Sequence, residues 1–250
     1  MDIPISQRRV VYEMFGTETV VVRSDLEYAN GLTMDLYAPP ASDERMPAVV
    51  TVAGFPDDGF QKMVGCRFKE MQSTIDWARL IAASGMTAVL YTNRDPAADL
   101  HALLQVLPSR GIDATRVGVW ASSGNVPLAL SLLLQDSEVQ LRCAALCYGY
   151  MLGVAEAAQT FRFADPARGK TIESLRRDVP LFVTRAGQDS FPGLNESLDR
   201  FLSAAIALNL PIAFTNHPDA PHAFDLVHDS DTTRAIIRQI LAFLRGHLVT

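Results

Sequence analysis

RVGVWASSGN, residues 116–125, reads as a strand running straight into the start of a helix. Val117, Val119 and Ala121 recur at every second position, the period of a sheet strand, and the pattern ends before Ser123. Ser122, Ser123, Gly124 and Asn125 follow, and a helical pattern fills about 126–135. The stretch therefore delivers hydroxyl groups to the carboxyl end of a strand, in front of a helix N-terminus. In an open parallel sheet that is the rim where ligands bind.

The same alternation extends outward in both directions. Strand patterns precede it at 19–28 (TVVVRSDLEY), 32–37 (LTMDLY), 48–53 (AVVTVA) and 87–92 (TAVLYT). Others follow it at 141–148 (LRCAALCY), 180–185 (PLFVTR) and 211–216 (PIAFTN). Helical spacing lies between them at about 70–83, 97–108, 194–208 and 231–247. Leu100, Leu103, Leu104 and Leu107 form a clean apolar stripe, and Ala235, Ile236, Ile240, Leu241, Phe243 and Leu244 are expected to face the core from the last helix. Strand–helix alternation predicts an α/β fold with a mostly parallel sheet of about eight strands, covered by helices on both faces. The first two or three strands have no helix between them and are expected to be antiparallel. No Pro-, Gly- or Ser-rich linker divides the chain, so 1–250 reads as a single domain. Residues 149–178, with a helix expected near 153–160, form a small cap-like insertion.

Composition narrows the function classes. The 250 residues are 48% hydrophobic and 20% charged, a globular mixture, with a net charge of −6 and no basic stripe for nucleic acid. Apolar runs are too short for a bilayer, and MDIPISQRRV has no apolar export core, so a cytoplasmic, non-membrane protein is expected. Cys66, Cys143 and Cys147 form no CxxC pair and no disulfide scaffold. No glycine-rich nucleotide loop occurs. His217, Asp219, His222 and Asp225 are dense enough to resemble a ligand set, but no HExxH accompanies them, and no metal or cofactor is expected.

Each strand end carries something different. The strand at 48–53 leads into Gly54, Phe55, Pro56, Asp57 and Asp58; the one at 180–185 into Gly187 and Asp189; the one at 211–216 into a loop with His217 and His222. A serine hydroxyl is a weak nucleophile at neutral pH and needs an imidazole to take its proton. That ring needs a carboxylate on its other N–H to fix its tautomer. Asp189 and His222 suit these roles, with His217 as competitor for the base. Ser123 is preferred over Ser122 as nucleophile. Small residues are needed two before and two after it, and Ser122 would place the Trp120 indole in that contact. Plain structural roles are open to the same residues: Ser122 and Ser123 as helix caps, Asp189 as a turn residue in GQDSFPG, His222 as a loop histidine.

VTVAGF, RVGVWASSGN, PLFVTRAGQD and APHAFD together resemble the α/β-hydrolase superfamily, and within it the dienelactone-hydrolase-like serine hydrolase and esterase branch. The resemblance spans about residues 25–248. It implies an elbow nucleophile at Ser123, an acid at Asp189 and a catalytic histidine at His222, in the order Ser, Asp, His. Ala121 and Asn125 replace the elbow glycines, Ala223 replaces the glycine after the histidine, and serine stands where dienelactone hydrolases carry cysteine. The implied activity is cleavage of carboxylic esters or lactones through an acyl-enzyme, with no cofactor, by a monomer or homodimer acting on a small molecule. Acyltransferase or peptidase-like use of the triad, and a non-catalytic ligand-binding protein, are the alternatives. Backbone N–H groups of Gly124 and Phe55 are expected to hold the oxyanion. Phe60, Tyr91, Tyr150, Phe161 and Phe191 are expected to line the pocket. Arg94 is read as a surface ion-pair residue or a binder of substrate carboxylate.

Overall fold

Residues 3–40, 45–152 and 163–249 are described by a computed structural model. Phe161 and the expected cap helix near 153–160 lie outside them. The chain opens on a hairpin, β1 (Val21–Ala29) and β2 (Leu32–Ala38), paired antiparallel around Asn30 and Gly31. β4 (Thr87–Tyr91) pairs antiparallel with β2. From there the sheet is parallel through β3 (Met46–Thr51), β5 (Ile112–Ser122), β6 (Cys143–Cys147), β7 (Leu181–Ala186) and β8 (Ile212–His217). The spatial order of the eight strands is β1-β2-β4-β3-β5-β6-β7-β8.

This order locates the site. The chain leaves β3 for β4 on one side and then crosses back to β5 on the other. A crevice opens beyond the carboxyl ends of β3 and β5, at the switch in winding direction. Gly54 and Phe55 follow β3, and Ser123 follows β5, so these two loops meet there.

Period-two alternation sends side chains to two cores. Val50, Val89, Val119 and Leu146 pack on one face under α3 (Pro96–Val106), α4 (Val126–Ser131) and α5 (Leu194–Ala207). Val49, Ala88, Trp120 and Ala145 pack on the other, under α2 (Gln72–Ala83) and α7 (Asp231–Leu248). Local signals set helix starts. Asp95 accepts from the N–H groups of Ala97 and Ala98, with Pro96 in the first turn of α3. Ser230 accepts from Thr233 N–H to cap α7.

Three features differ from the sequence expectation. β5 begins at Ile112, four residues earlier than the apolar pattern, because Ile112 pairs back to Met46 beyond an irregularity in the register. α4 ends at Ser131 rather than near 135; Leu132, Leu133 and Leu134 continue the apolar run as a buried turn. The short helices α1 (Asp57–Val64) and α6 (Phe224–Val227) have too few turns to show helical periodicity. Burial holds the Cys143 thiol up at about 12 and raises that of Cys147 further, so both stay protonated. Among the described residues no helix is long and apolar enough to cross a membrane.

Candidate active site

β5 ends at Ser122, and the next residue, Ser123, turns the chain sharply with φ 54. A non-glycine residue in the left-handed region is strained, and such strain concentrates at functional sites. The turn lifts the Ser123 hydroxyl off the end of the sheet, where His222 Nε2 lies 2.7 Å from its Oγ. His222 sits in the loop after β8, followed by Ala223 at φ 55. Its Nδ1 lies 2.5 Å from Asp189 Oδ2. Asp189 is placed by a tight turn after β7, where its own Oδ1 accepts from the N–H of Phe191 at 3.0 Å. Its side chain has no exposed surface. The Gly187 N–H donates to the carbonyl of His217, and a Cβ on Gly187 would stand 2.3 Å from the Pro218 carbonyl oxygen. Only glycine lets the acid-bearing and histidine-bearing loops approach this closely.

Three residues far apart in sequence thus form one chain of hydrogen bonds. Ser122 stays out of it and lies against the Tyr148 hydroxyl. His217 is buried and turned the other way, with Nε2 3.1 Å from Thr233 Oγ1 and 3.3 Å from Ser230 Oγ. Asp225 points elsewhere again. Its two oxygens accept from Tyr148 O–H at 2.6 Å and Trp77 Nε1–H at 2.8 Å. The apparent ligand set of His217, Asp219, His222 and Asp225 therefore diverges, and no cluster among the described residues is placed to hold a metal ion.

The Ser123–His222 pair opens into a cavity of about 750 Å³. Phe55, Phe60, Phe68 and Phe163 form one wall, in ring contact at 5.2 to 6.3 Å. Tyr150 and Phe191 line it near the histidine, and the Phe191 ring lies 4.5 Å from that of His222. Tyr91 does not line it. Its ring is buried in the core, and its hydroxyl oxygen accepts from the N–H of Ala53 at 3.1 Å, so it holds the β3 exit from below. Arg94 is outside as well. Its guanidinium donates to the Asn30 carbonyl at 2.7 Å, which is neither an ion pair nor a substrate contact.

The Tyr148–Asp225–Trp77 network lies beneath His222 and was not legible as a unit in the sequence. Tyr148 meets the imidazole edge-on at 5.2 Å between ring centres. Burial raises the Asp225 carboxyl above its usual range, opposed by the hydrogen bonds from Tyr148 and Trp77. HAFD puts Asp225 three residues past His222. Its partners come from α2 and the end of β6, and no local pattern predicts that meeting.

No family model matches the chain, and no curated protein matches it. Solved structures do. MGS-M1, an α/β hydrolase enzyme from a Medee basin deep-sea metagenome library, is 16% identical with a TM-score of 0.68, over 93% of this chain and 99% of that one. The esterase LipW of Mycobacterium marinum is 15% identical with a TM-score of 0.65, over 92% and 83%. A Klebsiella pneumoniae protein whose name proposes a dienelactone hydrolase is 15% identical with a TM-score of 0.64, over 90% and 98%. At such identities the likeness is one of architecture, and that architecture, over nearly the whole chain, is the α/β-hydrolase fold.

Proposed function

We propose that this protein is a serine hydrolase that cleaves carboxylic esters or lactones through an acyl-enzyme. The observation that carries the reading is the hydrogen-bonded chain from Ser123 Oγ through His222 to Asp189, at 2.7 and 2.5 Å. In this mechanism His222 Nε2 takes the hydroxyl proton as Ser123 Oγ attacks the ester carbonyl. Asp189 holds the Nδ1–H tautomer and stabilises the imidazolium that forms. His222 then gives its proton to the departing alcohol. Water repeats the sequence on the acyl-enzyme and releases the acid. The N–H of Gly124, at the start of a helix, and the N–H of Phe55, after β3, receive the oxyanion.

The aromatic wall of the cavity suits the apolar part of a small or medium ester. Structural neighbours named as esterases support the same reaction class. The neighbour named for dienelactone hydrolase supports the narrower branch, with serine in place of cysteine.

The test is covalent labelling. A fluorophosphonate should modify the wild-type protein at Ser123 and leave Ser123→Ala unlabelled, with the adduct located by mass spectrometry. Wild type should also hydrolyse p-nitrophenyl esters, and the acyl length it prefers sizes the pocket. An adduct on Ser122, or an unreactive wild type, overturns the reading.

A further inference from the structure

On the serine-hydrolase reading above, we propose that Asn125 is a positioning residue that clasps the oxyanion loop to the nucleophile elbow. Its Oδ1 accepts from the N–H of Gly54 at 2.7 Å. Gly54 is the residue before Phe55, whose own N–H is the oxyanion donor contributed by the loop after β3. Asn125 lies two residues after the nucleophile, on the turn that also carries Gly124, the other donor. One buried side-chain hydrogen bond therefore ties the two halves of the oxyanion site together.

The bond is built into the packing. Asn125 is 5% exposed. It stands where an asparagine caps a helix, yet its side chain makes no cap hydrogen bond to α4; the carbonyl oxygen is spent on Gly54 instead. A Cβ on Gly54 would fall 3.2 Å from Asn125 Cα and 3.4 Å from Asn125 Oδ1. The glycine of the pair has in effect changed sides. A bulky residue is tolerated at the elbow because the facing residue has no side chain. The loop is also held from behind, where the Gly54 carbonyl accepts from the N–H of Ala164 at 2.7 Å. With the peptide groups on both sides of Gly54 anchored, the next N–H, that of Phe55, has a fixed direction. Preorganised donors stabilise a transition state because they need no reorganisation when charge develops. Losing the clasp should therefore slow chemistry and leave substrate binding nearly intact.

Asn125→Ala and Asn125→Gly test this, the second because it restores the glycine usual at that position. Both should lower kcat for a p-nitrophenyl ester by about 10- to 100-fold, less than outright removal of an oxyanion donor. KM should stay within about twofold, and affinity for a trifluoromethyl ketone, which forms a tetrahedral oxyanion on the serine, should fall in step with kcat. Wild-type kcat in Asn125→Gly overturns the proposal, since the position would then need only to be small. Equal losses in KM and kcat also overturn it. Should either variant fail to fold, amide exchange in the wild-type protein decides. Gly54 N–H should exchange at least about 100-fold more slowly than Phe55 N–H, and equal rates overturn the clasp. An inactive wild type would sink the hydrolase reading; an active one with unaffected variants sinks only this inference.

Discussion

Ser122 and Ser123 are neighbouring hydroxyls with different surroundings. They are adjacent at the end of one strand, but the left-handed turn at Ser123 sends its Oγ to His222, and Ser122 remains beside Tyr148. The crowding argument from the sequence prefers Ser123, which is also the residue at the sharp turn. Trp120 is fixed in the core against Trp77, with ring centres 4.7 Å apart, and has no freedom to make room for an elbow at Ser122. Ser122→Ala should keep kcat within about threefold of wild type, since its hydroxyl takes no part in the hydrogen-bonded chain from Ser123 through His222 to Asp189. Asp189→Asn should leave the fold unchanged, because the amide is the same size. It should lower kcat by about 10³- to 10⁴-fold by presenting the wrong tautomer of His222. Steady-state kinetics on one ester substrate check both, and an Asp189→Asn variant with near-normal kcat would remove Asp189 from the mechanism.

At the scale of elements, the loop between β8 and α6 carries the histidine and owes its position to distant partners. Asp225 anchors it to Trp77 on α2 and to Tyr148 after β6, and the Asp225 carbonyl accepts from Val11 N–H of the N-terminal segment. Asp225→Leu keeps the branched heavy-atom skeleton but leaves two buried donors without an acceptor. Each should cost about 1–3 kcal/mol. Trp77→Phe removes one donor and frees one carboxylate oxygen, and should destabilise less than Asp225→Leu. Urea unfolding midpoints give the comparison, and an unchanged midpoint in Asp225→Leu would show that the network does not support the fold. Regular elements were read well where periodicity ran for several turns, as in α3 and α7. The short helices α1 and α6 show no such period; a stretch such as FDLV is one turn long, and its conformation follows from the chain around it.

Across the whole molecule, the two cores lie on opposite faces of one sheet, and titratable groups trapped between layers make stability depend on pH. His217 closes β8 against α7. Burial pushes its pKa below the ordinary value, helped by His228 and opposed by Asp219. Folding thus disfavours the protonated ring, whereas the unfolded chain binds a proton near the ordinary value of about 6.5. Its contribution is therefore fully present above that pH and is lost as pH falls toward the depressed folded value. His217→Gln should narrow the gap in unfolding free energy between about pH 8 and pH 5.5 relative to wild type. An equal gap in both proteins would show that other groups carry the acid sensitivity. The sequence by itself determined the layered architecture, the strand ends and the order Ser, Asp, His, because hydrophobic period and turn residues are local properties. Tertiary structure alone decided that Ser123, His222 and Asp189 bond to one another, that Tyr91 faces the core, that Arg94 leaves the cleft, and that Asn125 reaches Gly54. Those outcomes depend on which loops the sheet brings side by side, and each depends on contacts between residues tens of positions apart, which no local pattern encodes.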